Sequence, residues 1–416
     1  MKKLSIKGNF KVIFVLGLLS AIGPFSIDLY LPAFPEIAER LNTDVASVML
    51  SLSSFFVGIS FGQLLYGPLI ERYGRKKPLY IGLVLYAISS VACLYALNVD
   101  QLIAYRFFQA LGGCVGMVTS RAMVRDLFEL GDIPKVFSNL MLVIALSPII
   151  APTVGGYLTF YFGWQSVFIF LLVLILIILF SVYLVLPESK APDPLYSLKP
   201  KAILGKFKIV LSNQQFVVYT ATSAIAYSAL YAYVSGAPYV FMVVYGLNEK
   251  VFGWIFALIA AGLISASQFN NLLLRKYTSE QVIKVTLVIQ SLIGIVLLVL
   301  TVLGYQNLYL FVGLIFLFLA CQGFNFPNAS AISMAPFSKN AGSASALMGF
   351  FQLMCGAVLS AMVGVFEDGS ALPLVAIMAL CVVTATLILY IGNVRIKKRT
   401  TKSLVQEEDI DMISTL

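Results

Sequence analysis

Two ionisable residues are conspicuous for where they fall. Asp28 lies in KVIFVLGLLSAIGPFSIDLYLPAFP, residues 11–35, an apolar run long enough to cross a bilayer. Eleven further apolar segments follow, none with another acid well inside it, and the one base clearly inside a run is Arg106. Either residue costs roughly 2.5–3.5 kcal/mol near the centre of a span, so such groups face a protein or water-filled interior and mark pathways. The chemistry this pair predicts is uptake and release of a proton by Asp28. Burial favours the neutral acid and a nearby Arg106 favours the carboxylate, opposed effects that let a carboxyl group titrate where a proton carrier must. The alternatives are a structural ion pair, or two side chains reaching separately for water.

The elements that position them are helices. The 416 residues are 60% hydrophobic and 11% charged, against about 25% charged in a soluble domain. Spans are expected at 11–32, 47–70, 78–98, 102–123, 136–160, 164–186, 214–243, 250–273, 282–304, 307–333, 342–365 and 371–393, each with the twenty or so residues that cross a ~30 Å core. A barrel would need alternating ten-residue segments instead, so the fold class is all-α, polytopic, with twelve transmembrane helices. Span one carries Asp28 near its outer end and span four carries Arg106 near its start, at matching depth. Nearly all of the 28 basic residues fall in alternate connections, the opposite loops holding only Arg40 and Lys250. Both termini are therefore expected in the cytoplasm. Lys2, Lys3 and Lys7 before the first run mimic a secretory signal, but no small-residue cleavage site closes it.

The one long connection, 187–213, is Pro-rich and then basic and amphipathic, a linker expected along the inner leaflet. It separates six spans (1–186) from six (214–393), and a tail at 394–416 is expected to be loose. Two halves of this kind place a substrate at mid-depth between them. The net charge of +9 comes from the alternate loops, so no nucleic-acid partner is implied. The five cysteines and zero histidines offer no disulfide framework and no metal site. Proton chemistry falls to carboxylates, and no cofactor beyond the proton is expected.

GPLIERYGRKK, residues 67–77, joins spans two and three with two turn glycines, Gly67 and Gly74, an acid, Glu71, and the bases Arg72 and Arg75. Its spacing resembles the signature loop of the major facilitator superfamily. The likeness continues through RFFQALGGCVGMVTSRAMVRD, with Arg106, Gln109 and Gly112, and through SPIIAPTVGGYL, similar to the proline–glycine motif of the drug-antiporter branch. In that motif Pro148, Pro152, Gly155 and Gly156 match, and Ala151 stands where the family usually has Gly. SIDLYLPAFP, YAYVSGAPYVFMVVYG and APFSKNAGSASALMGFFQ resemble the Bcr/CflA drug-resistance subfamily in particular. The resemblance implies a cytoplasmic latch of Asp126 with Glu71 and Arg75, flanked by Arg121 and Arg125, that holds an outward-facing state. It also implies a bacterial inner-membrane location and a monomer. From the residues alone these are helix-end charges. The prolines and glycines predict a bend and a close helix crossing, as do the pairs Gly58/Gly62 and Gly112/Gly116.

Tyr30, Gln109, Tyr227, Tyr231, Gln268, Asn325 and Asn328 are the polar and aromatic residues expected along a central cavity. Mostly apolar walls suit a small lipophilic or uncharged drug-like molecule. The function so expected is proton-coupled export of such molecules, not an enzyme. A facilitator or importer of a metabolite on the same fold is the alternative, and an intramembrane enzyme or receptor the alternative from another class.

Overall fold

The structure is a computed structural model that describes residues 9–129, 131–305, 307–337 and 341–414, which leaves Lys2, Lys3 and Lys7 outside the described residues. Among these, twelve helices are long and apolar enough to cross a membrane. In chain order they belong to α1 (Phe10–Asp28) with α2 (Phe34–Arg40), α3 (Val45–Tyr73), α4 (Lys76–Leu94), α5 (Val99–Leu127), α6 (Ile133–Phe162), α7 (Gln165–Val185), α9 (Gln214–Pro238), α10 (Glu249–Leu273), α11 (Ser279–Val302), α12 (Leu308–Met334), α13 (Ala341–Val365) and α14 (Leu372–Ser414); between α7 and α9 lies the short α8 (Pro200–Leu211). The expected amphipathic piece of the linker is α8. The tail expected to be loose continues α14 as helix.

Local sequence sets the helix starts. Asn98, Asn213, Asn248 and Asn307 each accept the backbone N–H three residues on, at 2.9–3.0 Å, which satisfies an orphan donor as each helix begins. Gly74 and Gly163 end α3 and α6 at φ 82° and 77°, a backbone region that costs glycine nothing. The first span is broken. After Asp28 the chain tightens into a 3-10 turn, Leu31–Ala33, because Pro32 brings no N–H and disfavours helical geometry before it.

Close crossings occur where side chains are missing. A Cβ on Gly58 would stand 2.5 Å from the Phe107 carbonyl oxygen, and one on Gly62 would stand 2.7 Å from Cys114 Cβ, so the Gly58/Gly62 pair seats α3 on α5. Two further crossings join the first six spans to the last six: α3 packs along α13 and α6 along α10. Ser53 to Ser360 and Ser60 to the Phe350 carbonyl, both 3.0 Å, tie the first. The 187–199 connection runs along one face of the bundle, the linker face, and the far face lies opposite.

Candidate substrate cavity and its charged residues

A cavity of about 480 Å³ lies between α1, α3, α5 and α6 on one side and α9, α10, α12 and α13 on the other. Its wall is mainly apolar, from residues such as Ile27, Met117, Ile144, Leu263 and Phe326. Asp28 is on that wall, only 5% exposed, at the last residue of α1 where the helix breaks. Among the described residues its carboxylate has no hydrogen-bond or ion-pair partner.

Arg106 is not its neighbour in an ion pair. The guanidinium is wholly buried among the first six spans. Nη1 donates to Gln109 Oε1 at 2.5 Å and Nη2 to the Ser26 carbonyl at 3.0 Å. Its carbon sits 4.4 Å from the ring centre of Tyr30 and 4.1 Å from that of Phe55, within cation–π range. Arg106 lies off the cavity wall that carries Asp28, and the reason is local. The tightened end of α1 turns the Tyr30 N–H to the Ile27 carbonyl, which leaves the Ser26 carbonyl without its helical donor. Arg106 supplies one, and a charge-assisted bond there is stronger than a neutral one. Gln109 continues the network to Ser90 at 2.8 Å, while Tyr30 bonds Ser51 at 2.8 Å.

Of the residues expected to meet substrate, Tyr227 and Tyr231 do line the cavity. Tyr30 and Gln109 do not, being spent in the Arg106 nest. Asn325 is buried between helices, where it donates to Gln290 at 2.7 Å and accepts from Thr286. Asn328 donates to Asn270 at 2.7 Å. Buried amides must find partners, and here those partners are on α10 and α11 rather than in the cavity. Gln268 is exposed, round the helix from buried Ala266 and Asn270. Sequence reasoning missed Tyr233, Gln63, Ser330 and Gln352, all on the wall. Of these, Tyr233 stood in YAYVSGAPYVFMVVYG and Gln352 closed APFSKNAGSASALMGFFQ, both stretches already singled out, while Gln63 and Ser330 carried no spacing signal.

The 67–77 loop forms a charge cluster on the linker face. Arg75 is 3% exposed; its Nε donates to Asp126 at 2.7 Å and its Nη1 to Glu71 at 2.8 Å. Burial works against the Arg75 charge, but these hydrogen bonds outweigh it and hold its pKa above the ordinary guanidinium value. The expected triad is joined by the linker, which the sequence did not suggest. Lys190 pairs with Glu71, Ser189 donates to Asp126 at 3.0 Å, and Arg72 donates to the Tyr196 carbonyl at 3.2 Å. Glu188 accepts the backbone N–H groups of Arg75 and Lys76 at 2.8 and 3.0 Å, an acid at the start of α4. Gly74 passes close under the linker, since a Cβ there would stand 3.2 Å from the Lys190 carbonyl oxygen, whereas Gly67 has open space beside it. Arg125 donates back to the Arg121 carbonyl at 3.3 Å.

The proline–glycine motif closes the far face. Pro148 lines the cavity and Pro152 is buried. A Cβ on Gly155 would stand 2.2 Å from the Leu29 carbonyl oxygen, and one on Gly156 would stand 2.6 Å from that of Glu249, so α6 touches the broken end of α1 and the start of α10 at once. Beside this contact Lys250 lies over Phe160 and Tyr161, 3.6 and 4.3 Å from the ring centres. On the linker face a second cavity of about 310 Å³ meets the first at Gln63, Arg121 and Ser345.

The sequence matches the family profile of the Major Facilitator Superfamily over residues 16–364. It is 30% identical to a bicyclomycin resistance protein homolog of Haemophilus influenzae, over 92% of this chain and 96% of the relative. It is 27% identical to multidrug resistance protein D of Escherichia coli K12, over 90% of this chain and 94% of the relative. The crystal structure of a D-xylose–proton symporter superposes with a TM-score of 0.76 at 14% identity, covering 92% of this chain and 97% of that one; at that identity the likeness speaks for the fold alone. With twelve spans around a central cavity and these relatives, the chain is a multi-pass membrane transporter of the major facilitator superfamily, in its Bcr/CflA drug-resistance branch.

Proposed function

We propose that this transporter exports small lipophilic, drug-like molecules in exchange for protons, with Asp28 as the proton carrier. One observation carries the reading: Asp28 is an acid on the cavity wall, nearly enclosed, with no cation or donor committed to it among the described residues. A carboxyl group so placed can hold a proton or share the cavity with cargo. The drug-resistance names of the relatives support the cargo class. The basic loops argue for a cytoplasmic linker face and an inner-membrane location. In that orientation the joined cavities and the close helix contacts at the far face support reading the molecule as inward-facing, with the Arg75–Asp126–Glu71 cluster formed in it. Arg106 acts as a positioning residue that fixes the end of α1 and hence the direction of Asp28.

In the cycle, Asp28 takes a proton from outside, cargo enters from the linker face, and each weakens the binding of the other, as linkage requires. Asp28→Asn is expected to abolish efflux driven by a proton gradient in proteoliposomes while leaving cargo binding measurable. Pumping against a gradient by the variant would remove Asp28 from the coupling role. A facilitator would instead equilibrate a dye without lowering its accumulation when a proton gradient is imposed.

A further inference from the structure

Arg121 lies on the wall of both cavities, at the mouth where they meet. It is half-buried, and among the described residues its guanidinium has no hydrogen-bond or ion-pair partner. Arg75, one helix away, is fully engaged by two carboxylates. Asp126 and Glu71 are thus spent on Arg75 and Lys190, and Arg121 is left facing the space between the lobes. Its depth is fixed by Ser20 and Ser120, whose hydroxyls meet at 2.7 Å. Asp28 is eight residues beyond Ser20 on α1, which puts the carboxyl roughly 12 Å along the axis from the level of Arg121. Tyr227 and Tyr233 share the wall with Asp28, Tyr233 toward its end. Tyr233 is 1% exposed, and among the described residues neither its hydroxyl nor that of Ser330, which lies toward the linker-face end of α12 near the level of Arg121, has a partner. Unpaired buried polar groups are costly, and ones that face a cavity are available to a ligand.

The cavity is therefore polarised, with a cation toward the linker face, mainly apolar walls between, and the acid with the Tyr233 hydroxyl at the other end. We infer that it selects lipophilic organic acids, whose carboxylate is held by Arg121 while the apolar body lies toward Asp28 and the Tyr233 hydroxyl. This inference rests on the proposed reading that the cavity is the cargo site. The cation offers a fork suited to a carboxylate, and a cargo entering from the linker face meets it first.

The test compares two probes of one shape: dansyl-6-aminohexanoic acid and its methyl ester. Each is titrated against the purified full chain in detergent and read by dansyl emission, after subtraction of empty micelles. Wild type is expected to bind the acid about tenfold or more tightly than the ester, the worth of one charge-assisted contact. Arg121→Gln should erase that preference and Arg121→Lys should keep part of it. A wild type that binds the acid no better than the ester overturns the inference whether or not the variants fold, and so does an Arg121→Gln variant with the preference intact. The ratio is an equilibrium quantity that needs no proton coupling. Absence of gradient-driven efflux of the acid by wild type in proteoliposomes would therefore count against the transport reading without touching this one.

Discussion

Arg106 reaches α1 at the Ser26 carbonyl, 3.0 Å away and two residues short of Asp28, rather than at the carboxylate. The cation thus holds the backbone that aims the acid and leaves the acid itself uncommitted. Gln109 completes the grip. Gln109→Ala would leave a buried guanidinium N–H and the Ser90 hydroxyl short of a partner, a loss of about 1–3 kcal/mol. A lower melting temperature in detergent is expected. Arg106→Lys keeps the charge but has no fork to serve Ser26 and Gln109 together, so it should melt nearly as early and should weaken efflux by misplacing Asp28. A melting curve unchanged by both substitutions would mean the nest carries no structural load.

The linker's hold on the first six spans gives a second prediction. Glu188 caps α4 through the N–H groups of Arg75 and Lys76, and the Lys76 ammonium returns a bond to the Leu186 carbonyl at 2.7 Å. Glu188→Ala removes both acceptors and should free the segment 187–199 from the linker face. Limited trypsin digestion ought then to cut after Lys190, which Ala191 follows, several-fold faster than in wild type. Equal cleavage rates would show that Lys190 and Ser189 hold the linker without the cap.

The helices were legible in the sequence because each span repeats a strong signal, about twenty apolar residues between polar connections. Asp28 was legible for the same reason in reverse, as a charge where hydrocarbon is the rule. What the sequence did not disclose was pairing. Asp28 and Arg106 have matching depth, but depth says nothing about azimuth, and the backbone break after Asp28 created an acceptor that outcompeted the carboxylate. Asn325 and Asn328 share a cavity-lining helix with Phe326 and Ser330, yet face away from the cavity into interhelical bonds. Glu188 and Lys190 sit in a Pro-rich linker with no periodicity to betray their docking.

The far face supplies the last prediction. Lys250 on α10 lies 3.6 Å from the centre of the Phe160 ring on α6, donates to the Tyr161 hydroxyl at 3.0 Å, and so bridges the first six spans to the last six. Gly156 makes that contact possible by admitting the Glu249 carbonyl. Cation–π contacts of this kind are worth about 0.5–2 kcal/mol, or a population shift of about two- to thirtyfold. Lys250→Ala should move the protein toward the state open at the far face, and Lys250→Arg should not. Spin labels at exposed Asn42 and Tyr309 stand on the two sides of that closure, and pulsed electron-electron resonance between them reads the change as a longer distance. Gly156→Ala provides an independent check, because its Cβ would collide with backbone that has no flexible end to give. If the distance distribution is the same in wild type, Lys250→Ala and Gly156→Ala, closure of the far face is set elsewhere, with the α3–α13 seam and its Ser53–Ser360 bond as the next place to look.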